Sequence, residues 1–85
     1  MNKPIRLTKH AVEQCIERGA TEEEVHEAIR NGEYEAAKKG RTLAKMNFQF
    51  NKEWFGDIFP IKQVAPVFVE EETEIVVITV YTYYF

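Results

Sequence analysis

His10, Arg18, Arg41, Lys45, Lys62, Tyr81 and Tyr83 are the side chains of this sequence that could act on a phosphodiester without a metal. Cleavage of RNA by its own 2′-hydroxyl needs a base to take that proton and an acid to protonate the leaving oxygen. It also needs cations beside the phosphate, where charge develops in the transition state. Histidine, tyrosine or a lysine of lowered pKa can exchange the protons, and arginine can grip phosphate through two parallel N–H donors. Each residue also has a structural use. His10 suits the first turn or the core edge of a helix, and Tyr81 and Tyr83 suit an ordinary sheet.

Other chemistry has less material. No glycine-rich loop precedes a helix, so no nucleotide cradle is expected. Two histidines and one cysteine give no zinc spacing, and the absence of serine excludes a serine nucleophile. Neither a metal nor another cofactor is expected. Cys15 falls on an apolar helical stripe, where a thiol is inert rather than nucleophilic. Glu70-Glu71-Glu72 could hold a hard cation or keep a turn solvated. Trp54 and Phe55 could stack on bases or fill a small core. His26 lies on a glutamate-rich helix and is expected to be exposed.

Two helices must come first. Leu7 to Arg18 reads as a helix with Thr8 as N-cap, an apolar stripe of Ala11, Val12, Cys15 and Ile16, and a stop at Gly19. His10, Gln14 and Arg18 form a polar seam beside that stripe. The second helix opens with a capping box, Thr21 and Glu24, with Ala20 and Val25 as a weak staple. Glu22, Glu23 and Glu24 suit the positive end of its dipole; Val25, Ala28 and Ile29 form its buried face, and Gly32 ends it.

From Thr42 the period changes to two. Ala44, Met46, Phe48 and Phe50 alternate with polar residues through a half-buried strand. Asn51 to Glu53 looks like a turn, and Trp54 to Pro60 is ambiguous. Ile61 to Val69 is a strand whose Pro66 argues for an edge or a bulge, and Glu74 to Tyr84 is a long β-branched and aromatic strand near the middle of the sheet. The expected fold is therefore α+β, two N-terminal helices packed on a twisted antiparallel sheet of three to four strands, in one domain spanning residues 1–85. Two short helices can cover only one sheet face. The expectation is that they cover Val76, Ile78 and Val80, leaving Thr79, Tyr81 and Tyr83 on the open face with Arg41 and Lys45.

Bulk composition sets the context. A chain of 85 residues with one cysteine forms no internal disulfide, and its polar, basic N-terminal stretch carries no secretory apolar run. The expected setting is a reducing, cytoplasmic one, with no membrane partner. The net charge of −3 argues against a strongly electrostatic nucleic-acid binder, but the charge is unevenly spread. Ala36 to Lys52 holds Lys38, Lys39, Arg41, Lys45 and Lys52 with no acid, which reads either as solvated surface or as a phosphate-binding strip.

Leu7-Thr8-Lys9-His10-Ala11, Glu17-Arg18-Gly19, Thr21 through Val25 with Ala28, and the closing Val76-Val77-Ile78-Thr79-Val80-Tyr81 resemble the bacterial family called domain of unknown function 4258. The resemblance implies a RelE/BrnT-like toxin fold, helices followed by a twisted sheet. It also implies a possible ribonuclease activity on free or ribosome-bound RNA, held in check by an antitoxin protein. Carried over by position, its polar residues are His10, Arg18, Thr79 and Tyr81, with Arg41 at a basic position early in the sheet. Residue chemistry and resemblance together nominate His10, Arg41 and Tyr81 as catalytic, and Arg18, Lys45, Lys62, Thr79 and Tyr83 as substrate-binding. The competing expectation is a non-catalytic interaction or regulatory module. Its aromatic C-terminal strand would pair with a partner or with a second copy as a homodimer.

Overall fold

Thr8 closes one element and opens the next. A computed structural model describes residues 3–85, so Met1 and Asn2 of the N-terminal stretch lie outside the described residues. β1 (Ile5–Leu7) runs into Thr8, whose hydroxyl oxygen accepts the Ala11 N–H at 3.1 Å and caps α1 (Lys9–Arg18). Leu7 thus belongs to a strand rather than to the helix. Gly19, at φ +76°, ends α1 in the left-handed conformation. α2 (Glu22–Asn31) carries the full capping box: Glu24 N–H donates to Thr21 Oγ1 and Thr21 N–H to Glu24 Oε1, both at 3.0 Å.

The rest of the chain is β2 (Glu33–Ala36), a 3₁₀ turn Lys38–Gly40, β3 (Thr42–Trp54), β4 (Asp57–Glu70) and β5 (Ile75–Tyr84). The strands are ordered β1-β5-β4-β3-β2. The described sheet therefore has five strands, not three to four, and it is mixed, because β1 runs parallel to β5. The two extra strands are three and four residues long, too short for an alternation to show. All four residues of β2 are exposed.

The ambiguous stretch is the tip of one long hairpin. Phe55 and Gly56, at φ +50° and +90°, form a two-residue turn between Trp54 and its partner Asp57. Asn51, expected in a turn, is instead a left-handed residue within β3, where the pairing with β4 slips between Gln49 and Lys52. Pro66 sits in an interior strand, between β5 and β3, one residue from a second slip at Val67 and Phe68.

That second slip sets which face of β5 is covered. Val67 pairs with Thr79 but Phe68 pairs with Val77, so Ile78 is an extra residue. Ile75 and Val77 consequently share a face with Val80, and all three join Ala11, Cys15, Val25, Ile29, Ala44, Val64 and Phe68 in the core beneath the helices. The covered set is Ile75, Val77 and Val80 instead of Val76, Ile78 and Val80. Beyond the bulge the expected alternation holds. Thr82 and Tyr84 hydroxyls both donate to Arg18 O, at 2.9 and 2.7 Å, on the helix side. Thr79, Tyr81 and Tyr83 alternate to the other face.

Candidate functional site

Gln14 and Arg18 of the α1 polar seam lie along the outer edge of β5. β1 pairs with β5 only as far as Val77, so the edge beyond it would be bare. Gln14, buried in α1, accepts the Val80 N–H at 2.8 Å and the Thr79 hydroxyl proton on the same Oε1. Arg18 donates to Val80 O at 2.7 Å. Side chains of a helix thus satisfy backbone groups that a neighbouring strand would otherwise take. The edge of β5 is thereby satisfied at Val80.

Arg18 has a second contact. Its guanidinium carbon stands 5.4 Å from the centre of the Tyr81 ring, so the cation stacks on a phenol that is 40% exposed. Tyr81 in turn borders a depression of about 260 Å³ on the helix-free face. Ala37, Lys38, Arg41, Leu43, Val67 and Thr79 complete its lining. Leu43, Val67 and Thr79 form one cross-strand row and give it an apolar floor. The turn between β2 and β3 brings Lys38 and Arg41 to its rim. That turn closes with the Ala37 N–H on Arg41 O at 2.9 Å, while Lys39 and Gly40 take left-handed conformations at φ +63° and +71°.

The charge balance of the depression differs from that of the chain. No carboxylate lines it. Among the described residues, Lys3, Arg6, Lys45 and Lys62 pair with Glu70, Glu74, Glu35 and Glu24, whereas Lys38 and Arg41 pair with none. A half-open pocket with two free cations and a phenol hydroxyl can hold an anion through charge-assisted hydrogen bonds.

Of the nominated residues, Arg41, Thr79 and Tyr81 meet here, with Arg18 on the Tyr81 ring. Tyr83 follows on the same face, 50% exposed. Lys45 lines a separate polar notch of about 230 Å³ beside Asn31, Glu33 and Asn47, its ammonium 3.1 Å from Glu35. His10 is exposed in the first turn of α1 and lines neither depression.

Lys62 lies on the opposite, helix-covered side. It is 6% exposed, and its ammonium donates to Gly19 O at 2.9 Å and reaches Glu24 Oε1 at 2.8 Å. Phe50 packs beneath it, and Tyr84 stacks on Trp54 with ring centres 4.7 Å apart. This cluster fastens the long hairpin to the link between the helices. It also uses Trp54 internally, while Phe55 stays 85% exposed.

Lys38 joins the nominated residues at this depression, and its signal in the sequence is the acid-free basic stretch. Gln14, likewise, was visible as a member of the polar seam. Cys15 is buried, and burial, with Glu22 and Glu24 nearby, pushes its thiol pKa up, away from nucleophilic use. The acidic turn is tied to the N-terminus, Lys3 donating to Glu70 Oε2 and Glu71 O at 2.9 and 2.8 Å. Among the described residues, no three His, Cys, Asp or Glu side chains converge as a metal would need. No helix of the described chain is long and apolar enough to cross a membrane.

Comparison with known proteins gives one match. The family described as domain of unknown function (DUF4258) matches residues 7–82. No curated protein and no solved structure matches the chain.

Proposed function

The chain belongs to the DUF4258 family, and from that premise we propose that it acts on RNA, holding a phosphodiester at Arg41 and Lys38 and cleaving it without a metal. The observation that carries the reading is the acid-free depression where Arg41, Lys38, Thr79 and Tyr81 meet on the open sheet face. Two unpaired cations beside one small apolar-floored pocket are the electrostatic complement of a phosphate, in a chain whose other side-chain charges largely favour acid.

In the proposed reaction the ribose 2′-oxygen attacks the adjacent phosphorus and the P–O5′ bond breaks. The products are a 2′,3′-cyclic phosphate and a free 5′-hydroxyl. The 2′-hydroxyl loses its proton and the departing 5′-oxygen gains one. Arg41 and Lys38 face the charge that builds on the non-bridging oxygens. The Tyr81 hydroxyl is the group at the pocket able to relay a proton, and Arg18 holds its ring in place. Thr79 serves by position, since its hydroxyl proton is already directed to Gln14. His10 and Lys62 have no part in this scheme, and Lys45 lies beyond it.

Inducible expression in a bacterial host tests the reading. Growth and total translation should fall with the wild-type chain and recover with Arg41→Ala at equal soluble level. Normal growth with abundant soluble wild-type protein would defeat the toxin form of the proposal. It would favour the interaction module, for which the exposed Phe55, Ile58, Tyr83 and Phe85 are the material.

A further inference from the structure

Tyr81 and Tyr83 at the end of β5, and Phe85 just past it, occupy alternate positions that the continued pairing with β4 places on one face. They are 40%, 50% and 55% exposed. The row is held rigidly, since Phe85 and Ile61 exchange both backbone hydrogen bonds, at 3.1 and 2.9 Å. Its rings are spaced by two strand rises, roughly 7 Å, over a run of about 13 Å. One end of the row is the acid-free depression with Lys38 and Arg41; there Arg18 backs the first ring.

We infer that this row is a stacking track for single-stranded RNA, about three nucleotides long, leading into the phosphate pocket. The inference rests on the phosphodiester reading and names the form of RNA that it takes. The rings are exposed on the face that carries the unpaired cations, so bases and backbone can be held together. Each ring offers a π-face that any base can stack upon, so the track reads little sequence. A duplex hides the base faces in its own stack, so it cannot use a flat aromatic row. The net-acidic chain also needs such a term, because two or three cations alone bind a polyanion weakly at physiological salt.

The test is fluorescence anisotropy with an end-labelled 2′-O-methyl decanucleotide, which lacks the attacking hydroxyl and separates binding from cleavage. The single strand should bind at least tenfold more tightly than a duplex of the same sequence. Tyr83→Ala and Phe85→Ala should each weaken it roughly tenfold and leave the salt dependence unchanged. Arg41→Ala should instead lower the log–log salt slope by about 0.7. Equal affinity for duplex, or wild-type affinity in both aromatic variants, overturns the track and leaves the phosphate pocket standing. No binding of any nucleic acid by the folded wild-type chain overturns both. A concentration-dependent dimer in sedimentation, lost in Tyr83→Ala, would assign the row to a second copy and also overturns the inference.

Discussion

Lys62→Met separates the fold from the chemistry. Lys62 is 6% exposed and its ammonium meets Glu24 at 2.8 Å and Gly19 O at 2.9 Å. Methionine keeps the stem over the Phe50 ring and removes the charge together with its hydrogen bond to Gly19 O. Deleting one member of a buried ion pair costs about 3–5 kcal/mol, chiefly because the other charge is left in poor solvent. Glu24 keeps 20% side-chain exposure and a second hydrogen bond from Thr21 N–H, which reduces the cost to about 2–3 kcal/mol. On a domain of this size that is a fall of about 10–20 °C in melting midpoint. Urea unfolding of wild type, Lys62→Met, Glu24→Gln and the double variant, with matching m-values, should return a coupling of about 1–2 kcal/mol. A loss below about 0.5 kcal/mol for Lys62→Met would refute the argument from burial. So would abolished RNA cleavage at unchanged stability, which would put Lys62 back into the site.

Further outcomes are expected. A Cβ on Gly19 would meet Tyr84 Oη at 2.6 Å and the Trp54 ring at 2.8 Å, whereas one on Gly40 meets nothing within 4 Å, and both residues have positive φ. Gly40→Ala should therefore cost about 1 kcal/mol of backbone strain. Gly19→Ala should cost at least about twice that by denaturant titration, since its neighbours must also give way. Gln14→Leu removes the acceptor of the Val80 N–H and should destabilise by about 1–3 kcal/mol, with faster amide exchange at Val80. Tyr34 and Tyr84 have pKa values raised above the ordinary 10.0, in both cases chiefly by desolvation of the phenol end, which for Tyr34 is tucked against Ile29 O although the residue as a whole is exposed. A raised tyrosine pKa holds its proton longer in the folded state, so its stabilisation is complete below pH 10 and declines as pH climbs past that value. Alkaline absorbance titration should show a late-ionising phase that loses amplitude in Tyr34→Phe.

Much of this molecule is written in local patterns. Thr8, Gly19 and the Thr21–Glu24 box mark helix ends because capping is a property of a few adjacent residues. The open face carrying Arg41, Thr79 and Tyr81 follows from alternation once two short helices must cover the other. What escaped were features set by register. The extra Ile78 reverses which half of the early β5 residues is buried, and nothing in Val-Val-Ile-Thr signals a bulge. The strand β1 exists through its pairing with β5, and β2 through its pairing with β3. The pairing of Lys62 with Glu24 is not legible either, because a single cation in an apolar strand gives no hint of a partner 38 positions away. His10 shares a helix with Gln14 and Arg18, yet those two turn toward the β5 edge while His10 stays exposed one turn earlier.

Arg41 acting at a phosphodiester is tested most directly by RNA cleavage by the purified chain in excess EDTA. Wild type should produce fragments ending in 2′,3′-cyclic phosphate. Arg41→Ala, with its melting midpoint preserved, should slow that reaction on the order of a hundredfold, as loss of one transition-state donor does. No cleavage by the folded wild type, or cleavage by Arg41→Ala at the wild-type rate, would contradict it.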